Sequence, residues 1–222
     1  MRAVGFGGFL RHATALGALA MLAAGTASAD PIGPDCGSCQ GGIYTLEAIS
    51  TPIATTATTQ TFRITFTIDS SGYNGAGIGV DTVAVKVTSG PDGLITGALI
   101  AAPSGPANWN NFIDMGLNAA GCSNGGSGFD CARVKVGGSV PAVGGTLAWQ
   151  WDLEMDTGTL LNDPFAASVK VRYVDALRAK AGALVSEGIT LQPNGTVVPE
   201  PASLGLMGLG LVVLGARRGP RR

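Results

Sequence analysis

Apolar and polar residues alternate along several segments between residues 40 and 192, and this period of two predicts β-strands. In the segment 149–156, two tryptophans, a leucine and a methionine alternate with a glutamine and three acidic residues. The clearest segments are 62–69, 83–88, 133–136, 149–156 and 169–174, and the weaker ones are 42–49, 94–101 and 189–192. Stretches rich in Gly, Ser, Asn, Asp and Pro separate them, as expected of turns. Only 175–183 has room for a turn or two of helix.

About seven to nine strands without crossover helices predict an all-β fold, an antiparallel immunoglobulin-like β-sandwich. The alternation assigns one face of each strand to the core. The residues predicted to face the core include Trp149, Trp151, Val169, Val171 and Tyr173. A shift of one residue would bury Asp152, Glu154 and Lys170 in their place, so the pattern also predicts the register.

The N-terminal segment has the three parts of a secretory signal peptide. Arg2 and Arg11 precede the apolar run 13–24, and Ala27 and Ala29 are the small residues of a cleavage site that ends at Ala29. An apolar run of about 12 residues is too short for a membrane anchor, which needs about 20. We therefore predict a signal helix in residues 1–29, export through the Sec machinery and removal by signal peptidase.

The C-terminal segment also has three parts. The tripeptide Pro199-Glu200-Pro201 precedes the apolar stretch 202–216, and a basic tail follows at 217–222. The cations of that tail are Arg217, Arg218, Arg221 and Arg222. An apolar segment closed by a cationic cluster is typical of stop-transfer sequences. Because the stretch has only 15 residues and contains four glycines, we expect a short transmembrane helix that anchors the chain transiently in the inner membrane.

This tripartite tail resembles the PEP-CTERM sorting signal of Gram-negative bacteria. The resemblance implies that an exosortase in the inner membrane recognises Pro199-Glu200-Pro201, cleaves nearby and passes the protein outward. Such proteins tend to occur in bacteria that make exopolysaccharide and grow as biofilms. The segment 165–191 resembles the last strand–loop–strand of PEP-CTERM passenger domains, which implies a surface-exposed module without an established catalytic role. The alternative is an ordinary single-pass anchor.

Residues 30–193 then form one β-sandwich passenger domain, and 194–198 link it to the sorting signal at 199–222. Residues 30–198 contain 8 basic and 14 acidic side chains, which gives a net charge of −6. A negative surface repels nucleic acid and anionic lipid, so neither is an expected partner. Exopolysaccharide remains a candidate partner.

Residues suited to catalysis or metal binding are scarce. The single histidine, His12, lies in the predicted signal peptide, which excludes Ser/His/Asp and Cys/His catalysis and histidine metal sites in the mature chain. The tetrapeptide 156–159 matches half of an aspartic-protease site, whose chemistry needs two copies, and is interpreted as a turn. Asp152, Glu154, Asp156 and Asp163 are candidate calcium ligands. The first three span about 13 Å along a strand, too far for one ion unless the loop folds back, so a solvated acidic face is favoured. We expect no bound metal ion, no cofactor and no catalytic activity.

Four cysteines in an exported chain predict disulfides. Cys122 and Cys131 flank a glycine-rich loop, and a bond between them would stabilise the fold by about 3 kcal/mol in the chain-entropy model. Cys36 and Cys39 have C-x-x-C spacing without a βαβ context, which favours a structural bond. A crossed pairing between the two cysteine pairs stays open.

Two functions follow. The leading prediction is a non-enzymatic structural or adhesive protein of the cell surface or the exopolysaccharide matrix. The alternative is a carbohydrate-binding module in which Trp109 stacks on a sugar ring and Asn110 bonds its hydroxyls. A buried Trp109 would favour the first function, and an exposed one the second.

Overall fold

The computed structural model describes residues 31–49, 51–87, 94–123, 126–159, 161 and 167–194. These residues contain thirteen strands, one short 3-10 helix at Pro106–Asn108 and no α-helix. The all-β prediction is confirmed, whereas the more specific immunoglobulin-like class stays a prediction. The signal helix predicted within 1–29 and the transmembrane helix predicted at 202–216 lie outside the described residues, as do the sorting tripeptide and the basic tail.

The strands follow one another along almost the whole described chain. In chain order they are β1 (Ile43–Ile49), β2 (Ala54–Thr55), β3 (Thr59–Asp69), β4 (Gly79–Lys86), β5 (Leu94–Ala101), β6 (Trp109–Phe112), β7 (Leu117–Asn118), β8 (Gly121–Cys122), β9 (Asp130–Val134), β10 (Thr146–Asp156), β11 (Ser168–Val174), β12 (Val185–Gly188) and β13 (Leu191–Asn194).

Two large sheets organise these strands. Sheet A has the order β13-β1-β3-β10-β5, with β2 beside β3, and sheet B has the order β12-β11-β4-β9-β6. Strands β7 and β8 form a separate hairpin. Neighbouring strands run antiparallel throughout the described sheets except for β1 and β13, which are parallel.

The apolar face of each alternating strand lies in a core that both sheets share. The residues predicted to face it, namely Trp149, Trp151, Val169, Val171 and Tyr173, are all completely buried. Strand β3 contributes an aromatic or aliphatic side chain at every even position from 62 to 68. Burial of one such side chain stabilises the fold by about 1.5–3 kcal/mol, so a register shift along any of these strands would forfeit several of these contributions at once.

Strand β4 is buried on both faces over almost its whole length. The hairpin β7–β8 covers its outer side, where Ala84 packs with Leu117 and Phe129 in a second apolar cluster. The disulfide Cys122–Cys131 ties this hairpin to strand β9. The structure therefore has the predicted bond between Cys122 and Cys131, and it also has the Cys36–Cys39 bond.

Two tyrosine hydroxyl groups meet in the core between the sheets. The hydroxyl oxygens of Tyr44 and Tyr173 are 2.8 Å apart, and the Tyr44 hydroxyl also donates to the carbonyl oxygen of Cys39 at 3.1 Å. Burial raises the pKa of Tyr44 to about 12, and burial also raises the pKa of Tyr173. Both groups therefore stay neutral at physiological pH and keep the hydrogen bond that joins β1 to β11.

The structure differs from the predicted elements in two places. Residues 175–183 form turns and not helix, because the Asp175 carboxylate accepts the backbone N–H groups of Leu177 and Ala179 and closes a tight turn. Strands β2, β6, β7 and β8 were not predicted, since none of them has more than four residues. Strand β12 lies within the segment 165–191 that resembles a strand–loop–strand.

The hydroxyl pair leads to a prediction about stability. We expect Tyr44→Phe to lower the free energy of unfolding more than Tyr173→Phe does, because it leaves the buried Tyr173 hydroxyl without a partner. An unpaired buried hydroxyl costs about 1–3 kcal/mol, whereas the second variant leaves Tyr44 bonded to Cys39. Urea unfolding of both variants measures the order, and an equal loss in both would contradict it.

Candidate functional site

Trp109, the residue proposed to stack on a sugar, is buried. It is only 4% exposed, and its ring makes a T-shaped contact with that of Trp149 at a centroid distance of 5.5 Å. Its Nε1 donates to the carbonyl oxygen of Pro103 at 2.9 Å. The ring is therefore part of the core of the sandwich and has no open face on which a ligand could stack. The neighbouring Asn110 is exposed.

The side-chain amides of Asn108 and Asn111 also form hydrogen bonds within the fold. The Asn108 side chain bonds the backbone of Ser139 twice, as donor to its carbonyl at 2.7 Å and as acceptor from its N–H at 2.9 Å. Asn111 lies on the inner face of β6, where its Oδ1 accepts from Nε1 of Trp151 at 3.1 Å. Within the segment 108–111, three side chains therefore make contacts inside the protein, and only the amide of Asn110 is exposed.

A carboxyl group lies between the two sheets, close to Asn111. Asp130 is fully buried, and its Oδ2 accepts from Nδ2 of Asn111 at 3.4 Å. The same amide nitrogen donates to the carbonyl oxygen of Gly97, on β5 of the other sheet, at 2.9 Å. A Cβ added at Gly97 would lie 1.8 Å from Asp130 Oδ2, so only glycine leaves room for this carboxyl. Among the described residues, Oδ1 of Asp130 has no hydrogen-bond partner.

The environment of Asp130 favours its neutral form. Burial raises its pKa to about 7, and the hydrogen bond from Asn111 opposes that rise only in part. A strongly raised pKa at a buried carboxyl is typical of a catalytic acid when the group lies in a cleft. Here the carboxyl is closed off from solvent, so this interaction is a polar contact between the sheets.

A second buried carboxyl forms an ion pair on the outer side of sheet B. Strands β4 and β11 shift register between Thr82 and Val80, and the extra residue is Asp81. Its Oδ2 accepts from Nη1 of Arg172 at 2.8 Å, and its Oδ1 accepts from the Thr82 hydroxyl at 2.9 Å. Burial raises the pKa of Asp81, and the charge of Arg172 lowers it in part. Removing one partner would leave an uncompensated buried charge, so the pair serves mainly to hold this register.

The acidic strand β10 has the predicted solvated face. Asp152 forms a two-point ion pair with Arg63 on β3, with nitrogen-to-oxygen distances of 2.8 and 2.9 Å. Asp156 ends the strand, and its carbonyl oxygen accepts from the N–H of Thr159 in a turn, in agreement with the interpretation of 156–159 as a turn. Within the part of the chain that the structure describes, no group of three or more His, Cys, Asp or Glu side chains is arranged to hold a metal ion.

The chain leaves the domain from strand β13, at one edge of sheet A. Asn194 lies opposite Ile49 in the parallel pair with β1, and Pro199 follows five residues later. The described ranges contain no helix long and apolar enough to cross a membrane. The predicted site residues Ala27, Ala29, 199–201 and the four terminal arginines lie outside those ranges.

Sequence reasoning missed the two buried carboxyl groups. A weak signal was present, because Asp81 and Asp130 each stand beside or within an otherwise apolar strand, where a charged residue needs a partner. The identity of the partner depends on strand pairing, which brings Arg172 to Asp81 across 91 residues.

The raised pKa of Asp130 predicts how stability depends on pH. Between about pH 4 and pH 7 the folded state keeps the proton that the unfolded state releases, so the free energy of unfolding should fall as pH rises, by about 4 kcal/mol in total. Asp130→Asn removes this titration, and its stability relative to wild type should rise over the same range. Urea unfolding at several pH values measures the difference, with Asp156→Asn as the exposed control. A constant difference between Asp130→Asn and wild type would contradict the prediction.

The C-terminal segment of the chain is similar to a known family. Residues 197–222 match the family described as the PEP-CTERM protein-sorting motif, which agrees with the tripartite tail seen in the sequence. No curated protein matches this chain. The chain therefore carries a C-terminal PEP-CTERM sorting motif, the signal of an exported, membrane-associated precursor that an exosortase processes.

Proposed function

We propose that the domain is a non-enzymatic structural or adhesive module that acts at the cell surface or in the extracellular exopolysaccharide matrix after exosortase processing. The observation that carries the proposal is the sorting motif at residues 197–222, because it directs the domain outward through the inner membrane. A sorting signal of this kind suits a protein that functions outside the cell.

The use of its polar side chains supports a non-enzymatic role. The buried ionisable groups Asp81 and Arg172 bond each other, and Asp130 bonds Asn111. These groups hold strands together, in positions closed to a substrate. The mature chain predicted from the sequence also lacks histidine, the commonest general acid or base.

The burial of Trp109 favours the structural role over specific sugar binding. Sugar recognition by stacking needs an open aromatic face, and the ring of Trp109 is packed against Trp149. We further propose that the two sheets form an immunoglobulin-like sandwich, which suits a rigid spacer or adhesive unit. The shared core and the mainly antiparallel sheets support that class.

Processing is testable on the protein made by its own cells. We expect the intact mass of the wild-type protein to lack residues 204–222, because the exosortase cleaves near Pro199-Glu200-Pro201. Replacing these three residues with alanines should leave the full tail in place and keep the protein in the inner-membrane fraction. Glu154→Ala, which removes a glutamate outside the motif, should be processed normally. A wild-type protein that still carries residues 204–222 in cells with an exosortase would make the segment a plain anchor.

The location and role are tested in the same cells. We expect the processed protein in the surface or matrix fraction, and we expect cells that lack it to form weaker aggregates. Wild-type protein should restore aggregation, and the triple-alanine variant should not. Unchanged aggregation without the protein would contradict the structural role.

A glycan array separates the two candidate functions. The processed protein should bind no glycan selectively, because Trp109, the aromatic residue proposed to stack on a sugar, is buried. Selective binding that the free glycan abolishes would identify a carbohydrate-binding module instead.

A further inference from the structure

All three tyrosines of the chain and two of its three tryptophans belong to one row of neighbouring rings, together with one phenylalanine. We name it the aromatic row, and its members in order are Tyr73, Tyr173, Tyr44, Phe66, Trp149 and Trp109. At four steps of the row the ring centroids of neighbours are 4.2 to 6.4 Å apart. At the remaining step the hydroxyl oxygens of Tyr173 and Tyr44 are 2.8 Å apart. Tyrosine and tryptophan rings lose an electron more readily than phenylalanine rings, so the row joins all but one of these oxidisable rings.

Contact between successive rings makes the row a path for electron transfer. Electron transfer through a protein slows steeply as the distance between donor and acceptor grows, so short steps keep each transfer fast. The two tryptophans of the row, Trp109 and Trp149, have centroids 5.5 Å apart. Phe66, the ring that resists oxidation, lies 6.1 Å from Trp149 and 6.4 Å from Tyr44. One phenyl ring is therefore all that separates the tryptophans from the tyrosines.

The tryptophans of the row lack a base for the indole proton. Nε1 of Trp149 is buried and has no hydrogen-bond partner among the described residues. Nε1 of Trp109 donates to the carbonyl oxygen of Pro103, and a backbone carbonyl is too weak a base to remove that proton. An indole that loses an electron in this environment stays a radical cation, and a buried cation without a partner is unfavourable. The radical cation is therefore driven to take an electron from a neighbouring ring.

Tyr73 differs from the other two tyrosines in the surroundings of its hydroxyl group. The hydroxyls of Tyr44 and Tyr173 are buried, where the first donates to the carbonyl oxygen of Cys39 and the second to Tyr44. Tyr73 lies in a turn among exposed residues and is itself partly exposed. Its hydroxyl oxygen accepts from the N–H of Gly77 at 3.1 Å, a bond that stabilises the oxygen once its proton has left. Of the six rings, Tyr73 is therefore the one suited to lose an electron and release a proton to water.

We propose that the aromatic row carries oxidation from the core tryptophans to Tyr73, so that a one-electron oxidant converts the domain into a Tyr73 phenoxyl radical. In the first step one electron passes from the indole of Trp149 to the oxidant, for example a carbonate radical, which becomes carbonate. In the second step one electron moves along the row from Tyr73 to Trp149, and the Tyr73 hydroxyl releases its proton to water. The indole is restored, and the protein has lost one electron and one proton in total.

This transfer protects the core of the sandwich. Permanent oxidation of Trp149 would place a polar group in a closed apolar contact, which is costly. The phenoxyl radical at Tyr73 is accessible to a thiol in the medium, which donates a hydrogen atom, becomes a thiyl radical and regenerates the tyrosine. The two disulfides are typical of an oxidising compartment, where protection of this kind is useful. The redox role goes beyond the proposed structural function and is independent of processing, because the row lies within residues 44–173.

Flash photolysis of the processed protein follows the electron directly. An ultraviolet pulse that tryptophan absorbs and tyrosine does not ejects an electron from indole, and a cobalt(III) ammine in solution takes up that electron and becomes cobalt(II). We expect the absorption of the indole radical to decay while that of the phenoxyl radical grows at the same rate. The rate should not change when the protein is diluted, because the transfer is intramolecular.

Variants identify the path and its end. Tyr73→Phe keeps a ring in the stack but has no hydroxyl proton to release, so the phenoxyl signal should be lost and the indole radical should persist. Tyr173→Phe removes the oxidisable ring between Tyr73 and Tyr44, so the phenoxyl signal should grow more slowly. Trp151→Phe removes the tryptophan outside the row and should leave the rate and the final radical unchanged. Electron paramagnetic resonance of samples frozen after the flash distinguishes the two radicals, and circular dichroism checks folding.

Protection is measured by repeated flashes in the presence of glutathione. Mass spectrometry of tryptic peptides should show intact tryptophans in wild type and accumulated oxidised tryptophan in Tyr73→Phe. The proposal is wrong if wild type forms no phenoxyl radical, or if the rate of formation rises in proportion to protein concentration. A phenoxyl signal of wild-type size and rate in Tyr73→Phe would place the end of the path at a buried tyrosine, and equal tryptophan damage in both proteins would remove the protective role.

Discussion

The contact between the inner faces of the two sheets holds the domain together, and a row of aromatic rings runs through it. Neighbouring rings in the row have centroids 4.2 to 6.4 Å apart, apart from the one step that two hydroxyl groups bridge. The row is Tyr73, Tyr173, Tyr44, Phe66, Trp149 and Trp109. It passes from sheet B to sheet A at Tyr44 and returns at Trp109. Because five of these rings come from five different strands, a shift in any one strand would break the row, and this couples the registers of both sheets.

The buried polar groups add specific hydrogen bonds to this apolar contact. Asp130 needs both Asn111 and the space above Gly97, so it accepts only one alignment of β9 against β5. Asp81 and Arg172 likewise match only when β4 carries its bulge. Buried charges and partly bonded carboxyls add little net stability, but a wrong alignment would leave them without partners. These buried ionisable side chains therefore act in the selection of one fold.

The strands whose inward residues were easiest to predict are those with one face in the core and the other partly in solvent. Strands β3 and β10 alternate over eleven residues each, so their inward residues could be read directly. Strand β6 was missed because its core residue, Trp109, stands between amides that resemble a loop, and the contacts that bury it come from strands far along the chain. The partners of Asp81 and Asp130 depend on the same distant pairings. The sorting motif could be identified without knowledge of the fold, because its three parts follow one another directly in the sequence at residues 197–222.

The edge strands of both sheets have features that hinder pairing with a strand of another molecule. Strand β5 has two register shifts, at Gln150/Trp151 and at Glu154/Met155, which twist the edge of sheet A away from regular pairing. At the other edge of sheet A, β13 contains Pro193, which has no N–H to offer. Both edge strands of sheet B, β6 and β12, are only four residues long. Addition of a strand from another molecule is therefore hindered along every edge of the described sheets.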